Sequence, residues 1–375
     1  MIYLDNCATT RVDDDISEKV LECMKTEYGN PSSLHHFGMD AYQIMGSARA
    51  DVGNMIGAAP ENILFTSSGS EANNIAIHAL AYTYRDKGKK IVTTAIEHSS
   101  ILTPLRRLEQ EGFEVVYVMP RDGRMRTEDI VDAVDEDTIF VSVMHANNET
   151  GEILDIPAIV QGCKEKNPDV LIHCDCVQSY GKIPVELYKM KVDLLSASGH
   201  KIHAPKGIGI LYVRPGLHLD HPFFGGSQEK GFRPGTENVP AIAGFGMATV
   251  KAMNHLKKDL IYVQELNTHL RNRFKEQIPE AVINSPEDGL PYLLSVSFPG
   301  HSSHDLINEL SKYDIYVSAG AACNKDTLSH VLQAYGLRDE LVRSVLRISF
   351  SHYTTIEELD TLVQTLCILT RRYGE

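Results

Sequence analysis

The stretch Val192-Asp193-Leu194-Leu195-Ser196-Ala197-Ser198-Gly199-His200-Lys201 decides how we interpret the fold. Its apolar half is typical of a short buried strand, and its second half runs into hydroxyls, a glycine, a histidine and a lysine. A lysine held partly desolvated at such a strand end has a lowered pKa, which makes its amine a nucleophile for a carbonyl. Taken alone, the same residues also fit a surface lysine in a polar loop.

Outside this stretch the chain alternates short apolar strands with amphipathic segments. We place the strands at residues 63–65, 90–94, 114–118, 138–143, 170–174, 194–197 and 208–213. Continuous apolar strands separated by helices predict an α/β fold with a mostly parallel seven-stranded sheet and helices on both faces. Ligands of such sheets bind at the carboxyl ends of the strands, which is where the polar clusters of this chain fall.

The pattern of predicted strands and helices changes in the last third of the sequence. A long helix is predicted at about 241–277, followed by strands near 293–298, 315–317 and 344–350. We therefore predict a large domain at 13–255 and a smaller α/β domain formed by 1–12 and 256–375, which carries the loop around Cys323.

Composition limits the classes of partner. The chain of 375 residues has 36 basic and 50 acidic residues and a formal charge of −14, which argues against nucleic acid or an anionic membrane surface as the main partner. Its opening residues are neither basic nor a long apolar run, so no signal peptide is expected, and no stretch approaches the roughly 20 apolar residues that span a bilayer. Seven scattered cysteines suggest free thiols in a reducing compartment, so a cytoplasmic location is expected.

Two clusters predict an anion site. Thr66-Ser67-Ser68-Gly69-Ser70 follows a strand and opens a helix, whose N-terminal N–H groups and dipole favour a phosphate. A plain serine N-cap is the alternative for this segment. Ser198 and His200 supply further donors beside Lys201. A reactive amine next to a phosphate cup is what pyridoxal phosphate requires.

Two residues at other strand ends suit a planar ring. His98 has an imidazole that can stack on such a ring or move a proton, although a lone histidine is often only structural. Asp175 can hold a pyridinium nitrogen protonated. Its neighbours Cys174 and Cys176 are interpreted as buried inert thiols, since no second pair completes a zinc site.

Cys323 and Arg347 are candidates in the last third. Cys323 follows small residues and precedes Asn324-Lys325-Asp326, a composition typical of an exposed loop in which a thiol can be partly ionised. Arg347 lies among apolar residues of a strand and needs an anion, either a substrate carboxylate or the partner of a structural ion pair.

Six ordered motifs together resemble the cysteine desulfurase family of pyridoxal-phosphate enzymes, with an aminotransferase-like fold of type I. They are Tyr3-Leu4-Asp5-Asn6 with Ala8-Thr9-Thr10, Gly29-Asn30-Pro31-Ser32-Ser33, Asn147-Asn148-Glu149-Thr150-Gly151, Ser198-Gly199-His200-Lys201, Arg233-Pro234-Gly235-Thr236 and the Cys323 loop. The resemblance covers about 350 residues.

The resemblance implies conversion of L-cysteine to L-alanine, with sulfur passing to Cys323 as a persulfide for delivery to an acceptor protein. It assigns the Schiff base to Lys201 and makes His98 a proton relay and ring-stacking residue. The remaining cofactor contacts would be Gly69, Ser70, Asp175, Gln178, Ser198, His200 and, from a second subunit of a homodimer, Thr236. The substrate contacts would be Asn30, Asn148 and Arg347.

Four rival functions follow from the same residues. A selenocysteine lyase or another lyase on the same scaffold is the nearest. An aminotransferase has no use for Cys323, and a dinucleotide-binding dehydrogenase lacks the expected G-x-G-x-x-G motif. A non-catalytic thiol or metal-binding scaffold is the fourth. The sequence leaves iron–sulfur cluster assembly, tRNA thiolation and selenium metabolism open as the destination of the sulfur.

Overall fold

The computed structural model of the chain describes residues 1–319 and 328–372. Its strands are β1 (Ile2–Tyr3), β2 (Ile63–Thr66), β3 (Lys90–Thr94), β4 (Glu114–Val118), β5 (Thr138–Met144), β6 (Leu171–Asp175), β7 (Leu194–Ser198), β8 (Gly209–Val213), β9 (Val282–Ile283), β10 (Leu293–Ser297), β11 (Ile315–Tyr316) and β12 (Val345–Ser349). Its α-helices are α1 (Asp14–Lys25), α2 (His36–Ile56), α3 (Gly69–Tyr84), α4 (Ser99–Gln110), α5 (Thr127–Asp132), α6 (Ile156–Lys166), α7 (Leu187–Met190), α8 (Val239–Gln277), α9 (Ser303–Ser311), α10 (His330–Ala334), α11 (Asp339–Arg343) and α12 (Ile356–Arg372).

The main sheet has seven strands in the order β2-β8-β7-β6-β5-β3-β4. Only β8 runs against the others within this sheet, because it pairs antiparallel with both β2 and β7 while the remaining pairs are parallel. Strands such as β5 and β6 are buried along their whole length, as strands covered by helices on both faces must be. The predicted fold class is confirmed.

Most of the apolar side chains that cover the main sheet form two clusters, one on each face. A third cluster surrounds the small sheet β12-β10-β9 and includes side chains of α9 and α12. Helix α8 is continuous and contacts α1, α2 and α12, so it runs from the main sheet to the small one. The predicted domain limits at residues 12/13 and 255/256 stay a prediction.

The topology brings four polar segments to one edge of the main sheet. Strands β2, β3, β6 and β7 run in the same direction, so their carboxyl ends lie along one edge of the sheet, where the chain continues to Gly69, His98, Asp175 and Lys201. The segment after β1 reaches the same edge, because the Thr10 backbone N–H donates to the carbonyl of His200 at 2.9 Å.

The opening residues are held by the last third of the chain. Strand β1 pairs in parallel with β11, and the Asn6 side chain and Cys7 backbone N–H donate to the Ser349 carbonyl and hydroxyl, each at 2.9 Å. Within the described ranges, no helix is both long and apolar enough to cross a membrane.

The predicted strands agree with the structure to within about one residue. Short elements such as β9, α7 and α11 were not predicted, because each is too short to show a hydrophobic period. The predicted Cys323 loop lies outside the described residues.

Candidate active site

Lys201 ends a single helical turn, Gly199–Lys201, directly after β7. Its Nζ donates to the carbonyls of Cys7 and Ala8, at 2.9 Å for Ala8. Burial, and then the positive charge of Lys182, lowers the pKa of the Lys201 amine to about 7. A large fraction of the amine is therefore uncharged near neutral pH, and only that form attacks a carbonyl.

A pocket for an anion lies between β7 and the start of α3. The Ser198 hydroxyl oxygen is buried and has no hydrogen-bond partner in the described chain, which is uncommon for a buried polar group and indicates a missing ligand. A Cβ on Gly69 would lie 2.5 Å from Cγ2 of Val177, so the close approach here requires glycine. The first turn of α3, with the exposed Ser70, adds unpaired backbone N–H groups.

The serine N-cap considered for this segment also exists, on a different residue. Ser68 caps α3, since its hydroxyl accepts the backbone N–H of Glu71 at 3.1 Å. Near the other wall, His200 Nδ1 lies 3.2 Å from the Thr9 hydroxyl. Burial, with the charge of Lys201 next, lowers the pKa of His200 to about 4, so the ring is neutral and offers one N–H.

Asp175 ends β6 and is held by two donors. Its Oδ1 accepts the backbone N–H of Val177 at 2.9 Å and its Oδ2 accepts the Asn73 amide at 2.8 Å. Burial raises the pKa of the Asp175 carboxyl, and the hydrogen bonds with the nearby charges of His98 and Lys201 oppose that rise. The carboxylate is oriented and electrostatically coupled to both His98 and Lys201.

A hydrogen-bond relay connects Asp175 to His98. The Asn73 amide that donates to Asp175 also lies 2.9 Å from the Ser100 hydroxyl oxygen, and that hydroxyl lies 2.8 Å from His98 Nδ1. Nδ1 also accepts the Ser100 backbone N–H at 3.1 Å, so a neutral ring carries its proton on Nε2. The His98 side chain is exposed, yet desolvation by the surrounding protein lowers its pKa. His98 is thus the N-cap of α4 and is linked to Asp175 through Ser100 and Asn73.

Arg347 is buried in β12 and partly paired. It donates to the Asn148 carbonyl at 2.9 Å and to the Asp5 carboxylate at 3.1 Å, while its Nε has no partner in the described chain. The structural ion pair considered for Arg347 is therefore present, with Asp5 as its partner, and the Nε–H group is left without a partner in the described chain. Asn148 is half-buried beside it.

The remaining predicted site residues are either hydrogen-bonded to other parts of the protein, exposed, or outside the described residues. Gln178 is engaged at both ends, donating to the Cys7 carbonyl at 3.0 Å and accepting Lys182 Nζ at 3.1 Å. Asn30 is exposed and its side chain accepts the Ser32 backbone N–H. Thr236 is exposed in the single chain. Cys323 lies outside the described residues.

The two cysteines flanking Asp175 are fully buried, and their sulfurs lie 3.6 Å apart. Burial raises the pKa of the Cys174 thiol well above its ordinary value. No described residue completes a metal-binding group with this pair.

Three contributions were missed at the sequence level. Asn73 orients Asp175, Lys182 depresses the pKa of Lys201, and Asp5 pairs with Arg347. Asn73 could have been found from its spacing, since it lies three residues after Ser70 on one helix face. Lys182 and Asp5 carry no such local signal, because they reach the site only through the tertiary fold.

Comparison with known proteins shows similarity along nearly the whole length of the chain. The sequence model of the aminotransferase class-V family matches residues 2–362. The cysteine desulfurase IscS of Serratia proteamaculans is 41% identical over 371 residues, covering 97% of this chain and 91% of that protein. IscS of Proteus mirabilis is 42% identical over 374 residues with the same coverage. A solved NifS-like protein superposes with a TM-score of 0.94 at 38% identity, covering 99% of both chains.

The sheet order, the strand-end lysine and the phosphate pocket define a pyridoxal-phosphate enzyme of fold type I. The chain belongs to the aminotransferase class-V family. Within that family it is a pyridoxal-phosphate-dependent cysteine desulfurase. The comparisons do not favour the selenocysteine lyase alternative.

The residues present fit this cofactor. The unpartnered Ser198 hydroxyl and the close approach at Gly69 suit a phosphate, and the oriented Asp175 carboxylate suits a ring nitrogen. The Lys201 amine, with its lowered pKa, suits the aldehyde.

Proposed function

We propose that Lys201, Asp175 and His98 carry the desulfurase chemistry in this chain, and that sulfur leaves through Cys323. The observation that carries the proposal is the Lys201 amine with a pKa of about 7 at the same strand end as the unpartnered Ser198 hydroxyl. Bound pyridoxal phosphate supplies an electron sink for the substrate Cα. The protein binds and orients the cofactor and the substrate, and its side chains transfer the protons.

The phosphate is held by the backbone at Gly69 and by the side chains of Ser70, Ser198 and His200. Thr236 comes from a second copy of the chain. Its exposure in the single chain supports this role, since its side chain is free to reach a neighbouring subunit. His98 would stack on the cofactor ring, Asp175 would pair with its nitrogen, and Gln178, which donates to the Cys7 carbonyl in this structure, would bond the ring oxygen.

Lys201 Nζ removes the α-proton of L-cysteine and later returns a proton to the product. A base with a pKa near 7 is suited to both transfers near neutral pH. His98, whose proton lies on Nε2, serves as the second proton donor. The Asn73–Ser100 relay keeps its tautomer fixed while the reaction proceeds.

The substrate carboxylate binds at Arg347, with Asn148 and Asn30 beside it. The buried Nε of Arg347 supports this, because it is a charged donor without a protein partner in the described ranges. Asp5 and the Asn148 carbonyl fix the guanidinium plane, so the free donor is presented in one orientation.

The sulfur step balances without another reactant. The substrate C–S bond breaks and an S–S bond forms with Cys323, so L-cysteine and one thiol become L-alanine and one persulfide. The persulfide then passes to an acceptor protein, and the IscS relatives favour iron–sulfur cluster assembly as the destination. We further propose a homodimer in the cytoplasm.

The test is product formation from L-cysteine with a thiol reductant, measured as alanine and sulfide. Cys323→Ala should abolish both products, whereas Cys367→Ala, which removes a half-buried thiol of α12, should retain them. Alanine formed at the normal rate by Cys323→Ala would overturn the assignment of Cys323. Borohydride should fix the cofactor to wild type but not to Lys201→Ala.

A further inference from the structure

Three side chains from distant parts of the sequence meet in a cavity that Lys201 also lines. Asp13 precedes α1, His203 lies two residues after Lys201, and His352 lies three residues after β12. One potential ligand atom from each side chain lies within 4.8 Å of the other two. In the described parts of the chain this is the one group of three such residues that meets this spacing. We propose that Asp13, His203 and His352 bind a divalent first-row transition metal ion.

The geometry of the group is close to that of a metal site. His203 donates its Nδ1 proton to the Arg11 carbonyl, so Nε2 is the nitrogen that it offers to a metal ion. The centroids of the two imidazole rings lie 4.5 Å apart at an interplanar angle of 54°, and one ligand atom from each side chain lies within 4.8 Å of the other two. An ion with bonds of about 2.0–2.2 Å requires these atoms to draw closer, and water would supply the fourth ligand.

The hydrogen bonds that the proposed ligand residues make to their neighbours also suit a metal site. Asp13 Oδ2 binds Lys251 at 2.6 Å and Oδ1 accepts the Tyr353 hydroxyl at 2.8 Å, which fixes the carboxylate. His203 Nδ1 lies 2.9 Å from the Arg11 carbonyl. A metal takes one imidazole nitrogen and leaves the other as an N–H donor, commonly to a carbonyl of this kind.

The backbone at His203 is unusual and supports a specific role. Its φ is +64°, in the left-handed region that residues other than glycine seldom adopt. The conformation is held by the His203 backbone N–H, which donates to the Thr10 hydroxyl at 2.8 Å. Strain of this kind is tolerated where the surrounding structure fixes it, and it often accompanies a functional site.

Groups of both signs surround the three side chains. Lys251 is the ammonium nearest the group, and it is already shared between Asp13 and Asp15. Asp259 faces His352 at 3.9 Å, and His255 lies in the same cavity. Lys182 and Lys201 also line the cavity, where they donate to the neutral oxygens of Gln178 and Ala8, so Asp13 and Asp259 are the negative charges that a cation would meet there.

The donor set identifies the class of ion. Two imidazoles and one carboxylate suit Zn²⁺ and its neighbours in the first transition row, whereas Mg²⁺ and Ca²⁺ prefer oxygen ligands throughout. A bound ion would join the loop that carries Lys201 to the segment that follows Arg347, so it would stabilise the folded chain without entering the reaction.

The experiment is equilibrium dialysis of the full, cofactor-loaded protein against Zn²⁺ near neutral pH after treatment with a chelator. Wild type should bind one ion per chain, and Zn²⁺ should raise its melting temperature. The variants Asp13→Asn, His352→Gln and His203→Asn should lower the affinity by at least about tenfold, the lower limit seen when only an outer contact is lost. Asparagine is chosen at position 203 because it tolerates a positive φ.

The matched control is His304→Gln, which alters an exposed histidine of α9 and should bind like wild type. Circular dichroism and the cofactor absorbance establish that each variant is folded. With Co²⁺ as a probe, visible d–d bands without thiolate charge transfer are expected, since the site has no sulfur ligand. Absence of binding by wild type, equal binding by all folded variants, or a thiolate band would each overturn the proposal.

Discussion

The Asn73 amide nitrogen lies 2.8 Å from Asp175 Oδ2 and thereby ties the start of α3 to the carboxyl end of β6. The same nitrogen reaches Ser100, so one side chain orients both the buried carboxylate and the relay to His98. The position of Asp175 is thus set by a residue that contacts neither the substrate nor the Lys201 amine.

Asn73→Ala should weaken cofactor binding and shift the visible absorption of the bound cofactor. Loss of the amide leaves Asp175 with one fewer hydrogen bond and raises its pKa further, at a cost of about 1–3 kcal/mol in the free energy of unfolding. Asn267→Ala is the control, because Asn267 donates to two buried carbonyls far from the site. It should lower stability and leave the spectrum unchanged; an identical spectrum for Asn73→Ala would contradict the assignment.

Ser198→Ala should lower the affinity for the cofactor without lowering the stability of the cofactor-free chain. In the cofactor-free chain it removes an unpartnered buried hydroxyl, so stability should not fall. In the loaded enzyme it removes a hydrogen bond to a charged phosphate, which corresponds to about 10- to 100-fold in affinity. Thermal melts and cofactor titrations measure both effects.

Ser142→Ala provides the comparison for Ser198, since its buried hydroxyl lies 2.9 Å from His173 Nδ1. It should destabilise both forms and leave the intrinsic affinity for the cofactor unchanged. A cofactor-free Ser198→Ala as unstable as Ser142→Ala would show that the Ser198 hydroxyl has a protein partner.

The cofactor-free enzyme should become more stable as the pH rises above about 7. The Lys201 pKa is about 7 in the folded chain and 10.5 unfolded, so between these values the unfolded chain binds more protons. The cost of burying the charge is complete below pH 7 and vanishes above the unfolded pKa. The slope should approach about 1.4 kcal/mol per pH unit.

Urea melts of wild type and Lys201→Met across this range measure that slope. Methionine carries no charge in either state, so the difference between the two proteins should increase in favour of wild type with pH. Parallel curves would mean that the folded amine has an ordinary pKa.

Arg49→Met should destabilise the fold strongly. Arg49 makes two bonds to Glu229, at 2.6 and 2.7 Å, and the Glu229 side chain is only 2% exposed. Removing one partner leaves a buried charge and should cost about 3–5 kcal/mol. Arg107→Ala breaks an ion pair whose arginine is 65% exposed and should cost less than about 1 kcal/mol. Denaturant unfolding compares them, and equal losses would refute the argument.

The sequence predicted the sheet well because each strand is a local pattern. The seven strands and the long helices show continuous apolar runs or helical spacing, which depend only on neighbouring residues. Lys201, Asp175 and His98 were predicted as site residues because strand ends carry ligand contacts in this class of sheet.

What the sequence did not predict depends on contacts between distant segments. The pKa of Lys201 is lowered first by burial and then by Lys182, and the guanidinium of Arg347 is oriented by Asp5, which is separated from it by 342 residues. The hydrogen bonds of the Gln178 side chain to the Cys7 carbonyl and to Lys182 Nζ likewise depend on the tertiary fold. No local periodicity encodes such pairings.

The attachment of the opening segment to the last third of the chain has a consequence for synthesis on the ribosome. The carbonyls of Cys7 and Ala8 that hold Lys201 are themselves fixed through Ser349 and β11. A nascent chain that has emerged only as far as α8 therefore has Lys201 and the two carbonyls that bind it, but not the later strands that fix those carbonyls. We expect the reactive amine to be held firmly only after β11 and β12 have been translated.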